Sequence, residues 1–427
     1  MIVKSFVLRS ESFDAIVRQV AEGTIAVVRP EKALEKLFRE LIRQMIVEKK
    51  PTADEAYTAV AAYLDKVSDN PDYQQRKDEF LEYVLDYLRK AMSVSVPVPA
   101  VEAYVMAQCA ALCAEAVAFS TGADLLDGRE LVVCRLNGKV PVFDWSASRE
   151  EIGRKCQGHS RLVVSGGYAR LAQGTVVGIG KGGANLMASL IGSAMGASLI
   201  EFYVEGEGIN GIYAMTYDEA AHYCAASKAP FSSASLWPAK NAGIPIVVKS
   251  ILKPDFPGTL ITAKGCETPS AKAVSGLIVD RDLDLVTIYG TGLLGQVGVS
   301  SAIFSSLSQE GVNIRFISQT SSEYAISFAV RSKDMETVSR VIGHIIADNP
   351  MLPLDDVMMI NRLVGIVTVY GSRMKNVPGV SGKVYSLLGA AGINVIASAQ
   401  GGEELSISIV LDESDLNRAE EVLQALA

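Results

Sequence analysis

Leu34, Leu37, Phe38, Leu41, Ile42, Met45 and Ile46 recur at helical spacing, with Lys36, Arg39, Glu40 and Arg43 between them. A period of about 3.6 residues puts the first set on one face and the charged set on the other, so an amphipathic helix is predicted here. Pro51 ends it. Thr52-Ala53-Asp54-Glu55 has the form of a capping box opening the next helix. A third helix is predicted over about 73–92, with Phe80, Leu81, Val84, Leu85 and Leu88 as its apolar stripe. Residues 93–100 read as a proline-punctuated connector. Residues 103–120, rich in Ala and apolar almost all round, read as a buried helix. Ahead of this helical region, Ile2–Leu8 reads as a strand.

Beyond Leu131 the texture changes. Short apolar runs at 131–134, 162–166, 176–180, 199–204 and 244–249 alternate with helical patterns. That alternation predicts βαβ units on a mostly parallel sheet. Pro257-Gly258-Thr259-Leu260-Ile261 closes the region, and 263–270 reads as a linker.

The rest of the chain holds an internal repeat. LVTIYGTGLLGQVGVSSAIFSSLSQEGVNIRFISQTSSEYAISFAV (285–330) is answered by GIVTVYGSRMKNVPGVSGKVYSLLGAAGINVIASAQGGEELSISIV (365–410). Each copy has the βαββαβ order of a ferredoxin-like domain. Copy one has its fourth strand near 357–360. Copy two ends in a helix (415–427) with no residues left for a fourth strand, so 276–279, ahead of copy one, is predicted to complete it. The two modules are then interleaved. Isolated four-stranded sheets expose edges, which predicts at least a homodimer.

Composition narrows the function classes. In 427 residues, 49% hydrophobic and 21% charged, there is ample material for packed cores. The net charge is −8 and no Lys/Arg-dense run occurs, which argues against a nucleic-acid partner. The six cysteines sit mostly in apolar runs, and Cys109 and Cys113 have no His nearby, so neither zinc nor a disulfide scaffold is expected. The apolar stretch near Met1 is too short for a secretory signal. Residues 182–200 are uncharged, but their Asn, Ser, Gly and Ala content and the preceding glycine turn suit a helix buried on a sheet better than a membrane span. A cytoplasmic protein without membrane contact is expected.

Three places carry candidate chemistry. Val176 to Asn185 (VVGIGKGGAN) is strand, glycine-rich turn and helix start. Backbone N–H groups at the positive end of a helix suit a phosphate, and Lys181 adds a point charge. The same pattern also serves as a plain tight turn. Residues 205–211 form a second glycine-rich loop, whose Glu205 and Glu207 suit either Mg²⁺ or a solvated acidic hairpin. In the repeats, Asn313 and Gln319 match Asn394 and Gln400, behind glycine-rich loops at 290–298 and 371–379. Amides and open N–H groups suit a free amino acid. Alternatively, Asn adopts a left-handed turn geometry and Gln pairs across a dimer sheet. His159, His222 and His344 are scattered, and no nucleophile or metal-ligand set is assigned.

Taken together, these residues resemble the aspartokinase family, an amino-acid-kinase domain followed by two ACT domains. VNIRFISQTSSEYAISF and INVIASAQGGEELSIS resemble the repeated ACT signature. Gly180-Lys181-Gly182-Gly183-Ala184-Asn185 stands where aspartokinases have Gly-Arg-Gly-Gly-Ser-Asp. Asn210-Gly211-Ile212-Tyr213 resembles Asp-Gly-Val-Tyr of the nucleotide loop. The resemblance implies an αβα-sandwich kinase domain over 1–262 with a helical insertion at about 30–95, then ACT domains over 271–362 and 363–427. It implies ATP, Mg²⁺ and L-aspartate as reactants, giving 4-phospho-L-aspartate. It implies feedback by lysine or threonine and a homodimer through the ACT domains. Lys4 and Lys181 take the catalytic places. Gly180, Gly182, Gly183, Asn185, Asn210 and Gly211 shape the phosphate and nucleotide site. Gly292, Gly295, Asn313, Gln319, Asn394 and Gln400 hold the effector.

The sequence also departs from the family. Lys-Phe-Gly-Gly-Thr-Ser is here Lys4-Ser5-Phe6-Val7-Leu8-Arg9, and the helix Gly-Glu that meets the substrate ammonium falls on Met106-Ala107. The carboxylate-gripping Arg is Lys181, and Leu-His-Pro-Arg is Leu236-Trp237-Pro238-Ala239. Two readings follow: a divergent kinase transferring phosphate to a carboxylate, or a degenerate kinase fold that senses an amino acid.

Overall fold

The computed structural model describes all residues except 95, 138–139, 181, 205–212, 226–230, 254–255, 266–272, 290–298, 320–324, 348–357, 372, 376 and 427. Contacts divide the chain into two compact units, one of residues 1–135, 141–220 and 230–266, the other of 136–140, 221–229 and 267–427.

The first unit is built on strands β1 (Ile2–Leu8), β2 (Thr24–Pro30), β3 (Asp124–Leu126), β4 (Val133–Asn137), β5 (Val140–Phe143), β6 (Arg161–Ser165), β7 (Tyr168–Leu171), β8 (Val176–Gly178), β9 (Leu199–Val204), β10 (Ala214–Thr216), β11 (Ile246–Ser250) and β12 (Thr259–Thr262). Eight of them form a sheet in the order β10-β12-β11-β9-β1-β2-β6-β3, parallel except where β11 meets β12. The runs TIAVV in β2 and LIEFYV in β9 are nearly continuous and apolar because central parallel strands are buried on both faces. A smaller sheet has the order β5-β4-β7-β8.

The helices of this unit are α1 (Phe13–Gln19), α2 (Lys32–Ile42), α3 (Asp54–Leu64), α4 (Pro71–Val94), α5 (Val98–Thr121), α6 (Trp145–Lys155), α7 (Gly183–Met195), the first residues of α8 (Tyr217–Ala225) and α9 (Trp237–Ala242). Successive side chains of β1 point to opposite sheet faces. Phe6 and Leu8 enter a core shared with α2, α4 and α5. Ser5 faces the other way and donates to Asn185 of α7 at 2.6 Å. Helices therefore cover both faces, an αβα sandwich. Among the described residues α5 is the helix long and apolar enough to cross a membrane, but Val101, Val105, Cys109, Leu112 and Ala116 are buried in that core.

Local details depart from the sequence reading. α2 runs on through a π-helical turn over Arg43–Val47 and ends there, short of Pro51. The capping box is not made. Ala53 is the N-cap of α3 and no side chain caps it, while Asp54 and Glu55 sit in the positive first turn. The connector at 93–100 is shorter than expected, because α4 runs to Val94 and α5 begins at Val98 with Pro97 at the N-cap. Proline is tolerated at a helix start, where its missing N–H has no partner to lose.

The second unit comprises β13 (Gly276–Tyr289), α10 (Val299–Gln309), β14 (Phe316–Gln319), β15 (Ala325–Arg331), α11 (Met335–Ala347), β16 (Met358–Tyr370), α12 (Val380–Ala390), β17 (Ala397–Gln400), β18 (Ser406–Asp412) and α13 (Leu416–Leu423). Its antiparallel sheet has the order β14-β15-β13-β16-β18-β17. The first part of β13, from Gly276 to Asp280, pairs with Ile366 to Tyr370, the first strand of copy two. Its later part, Leu285 to Ile288, pairs with Met358 to Asn361. Each long strand thus serves both copies. The crossing points are left-handed, at Asp282 (φ 59°) and Leu363 (φ 55°). The copies repeat each other in detail: hydroxyls pair between Thr287 and Ser327 at 2.9 Å, and between Thr368 and Ser408 at 3.0 Å.

An ion cluster joins the copies. Asp280 is buried in the strand that completes copy two, and its carboxylate meets Arg315 Nε at 2.7 Å and Arg331 Nη2 at 2.8 Å, both from copy one. Removing one partner of a buried pair strands the others. Both arginines keep some solvent contact, so Asp280→Ala should cost about 2–3 kcal/mol. Urea unfolding of the variant against wild type checks this.

Candidate functional site

At the carboxyl ends of β2 and β6, where open α/β sheets bind ligands, lies a cleft of about 480 Å³. One wall is cationic. Arg29 comes from the end of β2, and Lys32, Lys36 and Arg39 lie on one face of α2. Glu35 sits among them, with its carboxylate 3.0 Å from Arg29 Nη2 and 3.6 Å from Arg39 Nη2. It is therefore neutralised by the arginines. Lys32 and Lys36 are exposed, with no carboxylate partner among the described residues.

α5 lines the same cleft, with Pro99, Glu102, Ala103 and Met106. Glu102 also has no cationic partner among the described residues. It stands one turn before Met106. Gly166, Gly167, Tyr168, Gly178 and Gly180 complete the lining. Gly167 (φ 95°) and Gly180 (φ 81°) take left-handed backbone that favours glycine. Burial pushes the Tyr168 hydroxyl well above its usual range, so it stays a neutral donor. The arrangement offers anion seats on one wall and an ammonium seat on the other.

Lys4 is placed elsewhere. It is 9% exposed and 4% exposed Glu201 of β9 faces it at 3.3 Å. Its ammonium also donates to Gln19 Oε1 at 3.1 Å. Lys249 of β11 reaches the other oxygen of Glu201, and Tyr203 donates to that carboxylate at 3.2 Å. Burial works against the Glu201 carboxylate, but the Lys249 hydrogen bond and the Lys4 charge outweigh it and hold its pKa below the usual value. Beyond Lys4, β1 does not turn. Phe6, Val7 and Leu8 stay in register with Val28, Arg29 and Pro30, and the Phe6 ring stacks on Tyr203 at 4.7 Å.

Of the glycine-turn candidates, Gly180 lines the cleft. Gly182 is the left-handed N-cap of α7 (φ 74°). Gly183 is a packing glycine: a methyl group there would stand 2.8 Å from Ile179 Cγ1 and 2.9 Å from Gly167 Cα. Asn185 is buried and accepts the Ser5 hydrogen bond, so its side chain is turned into the fold. Lys181, Asn210, Gly211, Gly292 and Gly295, like the acidic loop at 205–211, lie outside the described residues.

In the repeats, Asn313, Gln319, Asn394 and Gln400 are all exposed. Gln400 accepts from Ser381 at 3.2 Å, which ties the end of β17 to the first turn of α12. The left-handed turn geometry considered for the asparagines belongs instead to Gly311 (φ 78°) and Gly392 (φ 68°), where it costs least.

The cationic face of α2, Glu102 and the Glu201–Lys249 pair escaped the sequence reading. The α2 charges read only as the polar side of an amphipathic helix. Glu201 had a signal, a lone carboxylate inside an apolar strand.

A family model described as an ACT domain matches residues 286–344 and 367–426. The bifunctional aspartokinase/homoserine dehydrogenase of Haemophilus influenzae is 27% identical over 282 residues, covering 62% of this chain and 33% of that protein. Bifunctional aspartokinase/homoserine dehydrogenase 1 of Zea mays is 28% identical over 316 residues, covering 69% and 34%. The chain thus spans about a third of the length of these curated relatives. Among solved structures, E. coli aspartokinase III in complex with aspartate and ADP superposes with a TM-score of 0.81 at 16% identity, covering 100% of this chain and 99% of that one. Clostridium acetobutylicum aspartate kinase gives 0.69 at 18%, with 100% and 99% covered. The fold is that of an amino-acid-kinase domain with ACT domains.

Glu201 sets two expected outcomes. Glu201→Leu leaves Lys4 and Lys249 facing each other and should cost about 3 kcal/mol in urea unfolding. Because the folded pKa of Glu201 lies below its unfolded value of about 4.3, its stabilisation is present above that value and is lost as pH falls through the folded pKa. The free energy of unfolding, followed from neutral pH downward, should therefore fall more steeply for wild type than for Glu201→Gln.

Proposed function

We propose that this chain, which belongs to the aspartokinase family, binds a dicarboxylic amino acid of the aspartate type in the first-unit cleft and acts as an amino-acid-responsive regulator, not as a kinase. The cleft supports the ligand class. Lys32 and Lys36 bring positive charge to the cleft and Glu102 brings negative charge to the same lining, as an amino acid with a second carboxylate requires. Arg29 and Arg39 are shared with Glu35 and reinforce the anion side.

The observation that carries the regulatory reading is β1. Phosphoryl transfer rests on positioning and charge neutralisation around the phosphates. The residues of β1 do not fit a triphosphate seat. Phe6 and Leu8 are buried in a continuing strand where the family has its glycine turn, and Lys4 is held by Glu201. The kinase reading, with ATP and Mg²⁺, keeps one observation in its favour: the turn after β8 still delivers Gly180 to the cleft and opens α7 at Gly183. Effector binding by lysine or threonine at the ACT domains, and a homodimer through them, belong to the same proposal.

Incubation with Mg-ATP, L-aspartate and hydroxylamine should give no hydroxamate above a Lys4→Ala control. Calorimetry should give saturable L-aspartate binding that Glu102→Gln weakens by about tenfold. Hydroxamate above the control would establish the kinase reading, and absence of aspartate binding would remove the cleft from it. Light scattering at the mass of one chain, with and without amino acids, would contradict the dimer.

A further inference from the structure

Both tryptophans of the 427-residue chain meet at one place. Trp145 is the first residue of α6 and Trp237 the first of α9, and their rings stand edge to face, with centroids 6.1 Å apart and planes at 81°. They border a cavity of about 250 Å³ that Pro238 and Ala242 also line. Three polar side chains join the lining. Arg149 lies one turn after Trp145 on α6, Ser193 is near the end of α7 and Asn241 is near the end of α9. None of the three has a side-chain partner among the described residues. Trp237 is 51% exposed, so its indole is reachable from solvent.

The lining differs from the aspartate-type cleft in each respect that selects a ligand. That cleft gathers Arg29, Lys32, Lys36 and Arg39 and contains no indole. Here a single guanidinium stands beside two aromatic surfaces set at right angles. A flat ring in such a corner stacks on one indole and meets the edge of the other, both favourable at ring separations of about 4.5–7 Å. A lone arginine suits one carboxylate, which it holds through two parallel hydrogen bonds. The cavity is smaller than the roughly 300–1,000 Å³ of drug-sized sites, which limits the ligand to about one ring. Ser193 and Asn241 supply the hydrogen bonds that fix its orientation.

We propose that the Trp145–Trp237 cavity is a second small-molecule site, for a single-ring aromatic carboxylate, with Arg149 holding the carboxylate and the two indoles holding the ring. It stands independently of the aspartate-type reading.

Because the chain has no other tryptophan, indole fluorescence reports on this site alone. Titrating the full chain with L-phenylalanine, and separately with benzoate, should give a saturable change. Arg149→Gln, at an exposed position that keeps both indoles, should weaken binding at least about tenfold. L-Alanine, which lacks the ring, and benzyl alcohol, which lacks the carboxylate, should give no saturable change. Glu102→Gln, in the other cleft, should leave the titration unchanged. No saturable response to either aromatic acid would overturn the assignment. Undiminished affinity in Arg149→Gln, or a loss in Glu102→Gln, would overturn it as well.

Discussion

One buried carboxylate organises the first unit. Glu201 lies on β9 between β1 and β11, in register with Lys4 on one side and Val247 on the other. A charge in that interior must be compensated. Lys4 and Lys249 do so from the two flanking strands, which fixes which residues of three parallel strands stand side by side. With Lys4 on that face, alternation sends Ser5 to the other, where it holds Asn185. That bond pins the start of α7, and with it the glycine turn that lines the cleft. The Glu201 ion pairs and the cleft are thus joined through β1.

The cleft illustrates how a charge can be present without being available. Arg29 and Arg39 are in part committed to Glu35, so uncommitted charge is left on Lys32 and Lys36. Lysine ammonium is a point charge on a flexible stem and does not impose the planar fork of arginine. Recognition there depends on the distance between the two walls more than on the angle of approach. Glu102, fixed on a long buried helix, provides the rigid side of that measurement.

Much of this was readable in the chain. The repeat was legible because two copies carry the same letters at the same spacing. The interleaving expected from the 276–279 run is seen where Gly276 to Asp280 pairs with Ile366 to Tyr370. The alternation beyond Leu131 announced a parallel sheet. The failures have specific causes. A capping box is a pattern of residue types, and at Thr52 the backbone enters the helix one residue later. Periodicity identified the charged face of α2 but not the helix that faces it from sixty residues on. Lys4 looked available because a strand sequence does not name its neighbours, and Glu201 lies far along the chain.

The long strands of the second unit have a consequence for the history of the chain. The residues from Gly276 to Asp280 precede copy one in the sequence and complete the sheet of copy two. A cut at the apparent boundary between the copies would leave each half with an unpaired edge. The repeat can be recognised as two, but it can be inherited, transplanted or lost only as one.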